Sequence, residues 1–263
     1  MGILYWLNDI EAYARLIEQV RSFAEAHGSA EQRAGFFASI VRFSLRRDRC
    51  LVGDQTLEFA RDAYKAAQEA EFEVGFTLLW HGDLDEAAAM LQDSLREAER
   101  RGDATMKSRA TTYLMVAMRK RGDVGGVREA IPSVIERARE ASLPEYEAMA
   151  IANRAWVTWH SGEQETAAAD AQAALEKWEK LPARYAFDWM ALWPLLAMAV
   201  ASHRIAKAAE YARRMLPSPQ QPLQEPTRTL VDSAVHAWDN GQPAETEELL
   251  RRAVRAAEDL GYL

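Results

Sequence analysis

Four glycines constrain this chain most. Gly82, Gly122 and Gly162 are 40 residues apart (122 − 82 and 162 − 122), and Gly241 follows Gly162 by 79, close to two further steps. Their surroundings echo one another: "TLLWHGDLDEAAAML" from Thr77, "AWVTWHSGEQETAAADA" from Ala155 and "SAVHAWDNGQPAETEELL" from Ser233. In these three stretches an aromatic residue precedes the glycine, and an acidic or polar helix start follows it. A glycine placed so can end one helix in the left-handed conformation while the next begins. At a fixed period, that punctuation means one supersecondary unit copied along the chain. The absent step, near position 202, reads "AVASHRIAKAAEYA", with Ser202 and His203 where the glycine–acid pair is expected.

Helical patterns flank each turn. After Gly82, Leu84, Ala87, Ala88, Leu91 and Leu95 trace one helical face. Asp83 and Glu86 have the spacing of a capping box. No segment shows the sustained alternation of a strand. Pro132 falls inside a predicted helix and is expected to kink it or mark an irregular half. The unit is therefore an antiparallel helix hairpin. A lone hairpin cannot bury its apolar face, whereas stacked hairpins can. The fold expected is all-α: an α-solenoid over residues 1–263 as a single repeat domain, with turns near 47–53, 82, 122, 162, 202 and 241. "LPSPQQPLQEP", from Leu216 to Pro226, reads as a connector between repeats. At the front, "NDIEAYARLIEQVRSFAEAHG" reads as a second helix with only "GILYW" for a partner, and the chain stops as another second helix ends. That is the expectation for a piece of a longer protein, or for a half-repeat cap.

The apolar residues lean on Ala, with few Val and Ile, which also favours helix. A net charge of −8 argues against direct nucleic-acid binding, which usually needs a basic face. The one cysteine, Cys50, excludes an internal disulfide and a cysteine-built zinc site. The longest apolar run, Met190 to Ala201, has 12 residues, short of the ~20 a bilayer needs. No membrane partner is expected, and the compartment expected is the cytoplasm.

These units resemble tetratricopeptide repeats, which place small residues where the two helices cross. Val74-Gly75 with Leu78, then Ala87 and Leu91, match that pattern loosely; Ala155, Thr158, Ala167 and Ala171 hold the same places, as do Ala234, Ala237, Thr246 and Leu250. The period departs from the usual ~34, so the helices are long variants. From about Gln32 onward, phrases such as "YLMVAMRKRGDVGGVRE" and "LLRRAVRAAEDLGYL" are similar to the C-terminal sensor region of large bacterial signalling ATPases and cyclases, and of activators of the maltose-regulator type. The resemblance implies signal transduction or transcription regulation. It implies no activity for this chain, because no G-x-x-x-x-G-K-[ST] loop occurs.

Catalytic chemistry finds little footing. The five histidines make no H-E-x-x-H and no i, i+4 pair, and there is no G-x-S-x-G elbow. Neither an enzymatic activity, a cofactor nor a metal is expected. The aromatic residues offer two readings. Trp80, Trp159 and Trp238 precede turns on first helices, with Trp156, Trp189 and Trp193 nearby. They are either core, or the lining of the concave face that first helices form in such a stack. On the second reading the partner-binding residues are Arg109, Thr112, Arg119, Trp156, Trp159 and Trp193, Trp and Arg being frequent interface anchors. From Arg96 to Arg139 there are eleven Lys or Arg and six Asp or Glu, a local +5. That is either a basic groove suited to an acidic peptide, a carboxylate or a phosphate, or a solvated turn whose cations sit at a helix C-terminus. The function expected is a non-catalytic interaction or sensor module, receiving a protein segment, a peptide or a small acidic effector in its groove. The alternative is a structural scaffold or spacer, such as a homodimer.

Overall fold

The computed structural model describes residues 10–67, 71–182 and 185–263. The stretch Gly2–Trp6, read above as the remnant of a partner helix, lies outside the described residues. Thirteen helices are present among the described residues, and no strand. They are α1 (Ile10–His27), α2 (Ala30–Arg47), α3 (Asp54–Ala67), α4 (Glu71–His81), α5 (Leu84–Arg101), α6 (Ala104–Lys120), α7 (Val124–Glu140), α8 (Pro144–His160), α9 (Gln164–Glu179), α10 (Trp189–Ala201), α11 (Ile205–Met215), α12 (Thr227–Asp239) and α13 (Pro243–Asp259). The fold is an all-α helical repeat. Two compact units divide it, residues 1–102 and 103–263.

One backbone device ends the first helix of each regular hairpin. The residue after a left-handed position donates its N–H five residues back: Asp83 to Leu78 O (3.1 Å), Asp123 to Met118 O (3.0 Å), Glu163 to Thr158 O (3.0 Å) and Gln242 to Ala237 O (3.0 Å). The left-handed residues are Gly82, Gly122, Gly162 and Gly241, all with positive φ. This bond satisfies a carbonyl the helix leaves orphaned. In the fourth hairpin the same bond runs from Arg204 to Ala199 O (2.8 Å), and His203 itself adopts φ +54°. The period persists there without its glycine, with a side chain held in a conformation L-residues disfavour. Asp123 also caps α7, accepting from Gly126 N at 2.8 Å. Asp83 does not form the capping box its spacing predicts. Its carboxylate faces His81 Nδ1 at 2.7 Å instead, while His81 Nε2 meets Asp54 at 3.0 Å.

In the first unit, Tyr13, Ile17, Phe36 and Ile40 build the core between α1 and α2. The α4–α5 hairpin closes through Gly75: a Cβ there would stand 2.9 Å from Leu91 Cγ and 3.0 Å from Leu91 N. Ala87 and Leu91 opposite it are fully buried. The small residue at the crossing thus sets how closely the two helices approach.

In the second unit, the first helices α6, α8 and α10 pack side by side, each also packed on its own second helix. Ala155, Ala167 and Ala171 are fully buried at the α8–α9 crossing. Arg154 grips Asp170 with two hydrogen bonds, at 2.8 and 2.6 Å, across the same hairpin. Pro132 and Pro194 lie inside α7 and α10 without ending them. The last hairpin reverses its roles: α13 packs on α10 and α11, while α12 packs on α11. The connector from Leu216 to Pro226 makes room for this change. Gln220 accepts from Asp188 N (3.0 Å) and donates to Tyr185 O (2.8 Å), and Gln221 accepts from Trp189 Nε1 (2.9 Å).

Candidate functional site

The α6–α8–α10 layer gathers the residues that stand out physically. Arg119 lies in the last turn of α6, where the turn at Gly122 takes its carbonyl (2.8 Å). Its guanidinium is fully buried. The Cζ atom stands 5.4 Å from the ring centre of Trp156 and 5.3 Å from that of Trp189, so two indole faces flank the cation. Trp156, Trp189 and Trp193 are themselves buried.

Hydrogen bonding around this cation is incomplete. Arg119 Nη2 donates to the main-chain oxygen of Tyr262 at 2.6 Å. Its Nε and Nη1 have no partner, and neither do the indole N–H groups of Trp156 and Trp193. Asn153, on α8, spends its amide on Met149 O (2.8 Å) and leaves its Oδ1 unpartnered. Buried polar groups are paired in the great majority of cases, so a cluster of orphan donors is a physical anomaly. No carboxylate among the described residues pairs with Arg119.

The electrostatics follow from that. Burial alone pushes the Arg119 guanidinium down to about 9. Lys120 is pushed down to about 8 by burial and by the charge of Arg119. His160 is also lowered, by burial first and then by Arg119, and its ring lies 4.5 Å from that of Trp156. The region is thus positive, buried and short of counter-charge.

What covers it is the chain's own final stretch. Tyr262 is nearly buried, edge-on to Trp189 at 4.8 Å and stacked on Trp193 at 6.0 Å, with Lys120 Nζ 5.4 Å from its ring. Its hydroxyl accepts from Gln224 N at 3.2 Å, and burial pushes the phenol up to about 12. Gly261 permits this entry. It has φ +68°, and a Cβ there would fall 2.5 Å from Lys120 O.

Of the residues singled out in the sequence, Arg119, Trp156 and Trp193 come together here. Arg109 and Thr112 lie ten and seven residues earlier on α6, about 15 and 10 Å along the helix. Arg109 is partly buried, and the Thr112 hydroxyl is spent on Ser108 O at 2.8 Å. Trp159 is partly exposed, its ring 4.7 Å from His160. An open groove was expected over these residues. Arg119, Thr112, Trp156 and Trp193 instead have no exposed surface, and Tyr262 fills the space over the guanidinium. Sequence reasoning passed over Tyr262, Lys120 and the connector glutamines. A glycine followed by an aromatic residue after α13 was the available signal.

Among the described residues no helix is long and apolar enough to cross a membrane. No group of three His, Cys, Asp or Glu side chains among them could hold a metal ion. The fold defines a tetratricopeptide-like helical repeat protein. The chain is similar in structure to RapI, in the crystal structure of its apo form, with a TM-score of 0.54 and 12% sequence identity over 94% of this chain and 81% of that one. No family model matches the chain, and no curated protein matches it in sequence.

Proposed function

We infer that the chain is a non-catalytic regulatory module that binds a protein segment, a peptide or a small acidic effector through the inner layer of α6, α8 and α10. The observation that carries this reading is Arg119: a fully buried guanidinium with two unpartnered nitrogens among buried tryptophans. Leaving a buried charge without a counter-charge costs several kcal/mol, on the order of what breaking a buried ion pair costs. A fold has no use for that cost, whereas a receptor for an anion does. The tetratricopeptide-like architecture supports the reading, since such stacks present first helices to partners. Its setting would be a signalling or transcription-regulating protein of the bacterial cytoplasm, as the resemblance of its repeat phrases implies.

The test is intrinsic tryptophan fluorescence, titrated with acidic peptides and nucleotides, in wild type and in Arg119→Met. A saturable change that the variant loses supports the module. One specific observation favours the alternative, a scaffold or homodimer: the layer is already filled by Tyr262. On that reading no ligand changes the fluorescence, and sedimentation equilibrium finds a dimer whose mass does not depend on Arg119.

A further inference from the structure

We propose that Arg119 is the receptor for one carboxylate carried on an aromatic group, and that Tyr262 occupies this receptor as an internal stand-in. The proposal rests on the module reading above and names its ligand class.

The argument starts from what Tyr262 presents. Its carbonyl oxygen takes one N–H of Arg119 at 2.6 Å, and its ring lies against Trp189 and Trp193. An oxygen acceptor and an aromatic ring, a residue's width apart, are therefore what this site already holds. A carbonyl is an incomplete match. It is neutral, and it leaves Arg119 Nε and Nη1 without acceptors. A carboxylate in its place supplies the missing charge and a second oxygen. Planar guanidinium and carboxylate pair through two parallel hydrogen bonds, each stronger than a neutral one. Five N–H donors on Arg119 exceed what one carbonyl can accept.

The charge of the ligand follows as well. Bringing ions out of water is costly, and the cost is offset only when charges match. One guanidinium without a carboxylate partner matches one negative charge. A phosphate dianion brings a second charge that the layer must carry on Lys120, whose ammonium lies against the Tyr262 ring and is itself disfavoured by burial. The aromatic part follows from the walls: Trp189, Trp193 and the Lys120 ammonium present two faces and a cation to a ring. Access requires that residues 261–263 move away from Arg119. Gly261 lies against Lys120 O, and Tyr262 is held by its amide to Ala257 O (2.8 Å), its carbonyl to Arg119 and its hydroxyl to Gln224.

The experiment uses the full chain. Tyr262→Ala is titrated with 3-phenylpropanoate, its neutral amide, inorganic phosphate, and a tetrapeptide ending in phenylalanine with a free or amidated C-terminus, followed by tryptophan fluorescence. The free acids are expected to bind Tyr262→Ala at least about tenfold more tightly than wild type, because the ring that fills the aromatic part of the site is gone and the carbonyl it anchors is held less firmly on Arg119. The amide and phosphate are expected to bind at least about tenfold more weakly than the acid. Adding Arg119→Met is expected to abolish the difference between acid and amide. The small acid and the peptide separate the two sources of the same chemistry. If Tyr262→Ala does not fold, hydrogen exchange on wild type decides: about 10 mM 3-phenylpropanoate should speed exchange of the Tyr262 amide several-fold, and the amide should not. Equal binding of acid and amide, tighter binding of phosphate, or no response to any probe would overturn the proposal. If amidated peptides bind as well as free ones and Arg119→Met still abolishes binding, the carboxylate receptor is wrong while the module stands.

Discussion

In the unit ending at Gly102, the nearly buried Glu73 meets Arg42 at 2.5 Å, and His81 stands between two aspartates. In the unit beginning at Asp103, the fully buried Arg119 meets a carbonyl and two indole faces, and no carboxylate. Both units stack helix hairpins through small crossing residues, and both end helices with left-handed turns. They differ in what they do with a buried charge. The first unit neutralises it, as folding alone requires. The second holds it uncompensated among buried tryptophans. Charge pairing therefore marks structure in both units, as Arg154 with Asp170 does in the second, and its absence at Arg119 marks the candidate site.

The largest effect that could break this comparison is in the aromatic cluster. Trp156 is fully buried beside Met115, Val127, Ile131 and Val134. Trp156→Ala should cost about 3–5 kcal/mol in chemical denaturation. A much smaller loss would mean that the layer is loosely packed. Gly75→Ala in the first unit comes next. Its Cβ meets Leu91 backbone and side chain at 3.0 Å and below, so the α4–α5 hairpin must open. A loss of about 1–3 kcal/mol is expected, while Gly35→Ala, which meets nothing within 4 Å, should be neutral or better.

A pH effect sharpens the comparison further. Lys120 is held at about 8 against an ordinary 10.5, because burial and Arg119 disfavour its charge. Between those values the unfolded chain keeps a proton that the folded chain has lost, so stability rises with pH there. Tyr262 acts in the other direction: held near 12 against 10.0, it removes stability above pH 10. The melting temperature should therefore climb from about pH 8 to about 10, with Arg119, held near 9, adding to the climb, and then rise less steeply; in Lys120→Met the climb should begin later and be smaller. The smallest effect is at the turn without a glycine. His203 holds φ +54°, so His203→Gly should gain up to about 1 kcal/mol, whereas Gly122→Ala should lose a similar amount.

The sequence made the hairpin repeat plain because its markers are local. Gly82, Gly122, Gly162 and Gly241 each carry a backbone conformation that only the neighbouring turn demands, and Ala87, Ala167 and Ala171 carry a crossing one hairpin wide. The period placed a turn near Ser202 even without a glycine, and the left-handed residue falls one position on, at His203. The candidate site was half legible. Arg119, Trp156 and Trp193 share first-helix positions, so their meeting could be read from helical spacing. Their cover could not. The Arg119–Tyr262 contact joins residues 143 apart, and it depends on α13 rather than α12 packing against α10. Both helices of that hairpin carry the same pattern, so nothing local tells which one turns inward. Asp83 shows the same limit on a smaller scale, since a histidine two residues away competes for the carboxylate that the capping box needs.

The central claim is that Arg119 is kept for a ligand and at a cost to the fold. Urea denaturation of Arg119→Met beside wild type, without ligand, tests it most directly. Methionine keeps most of the packing and removes the uncompensated charge, so the account predicts a variant as stable as wild type or more stable by about 1–3 kcal/mol. A variant less stable by about 3 kcal/mol or more would show that the guanidinium holds the fold together, and would contradict the account.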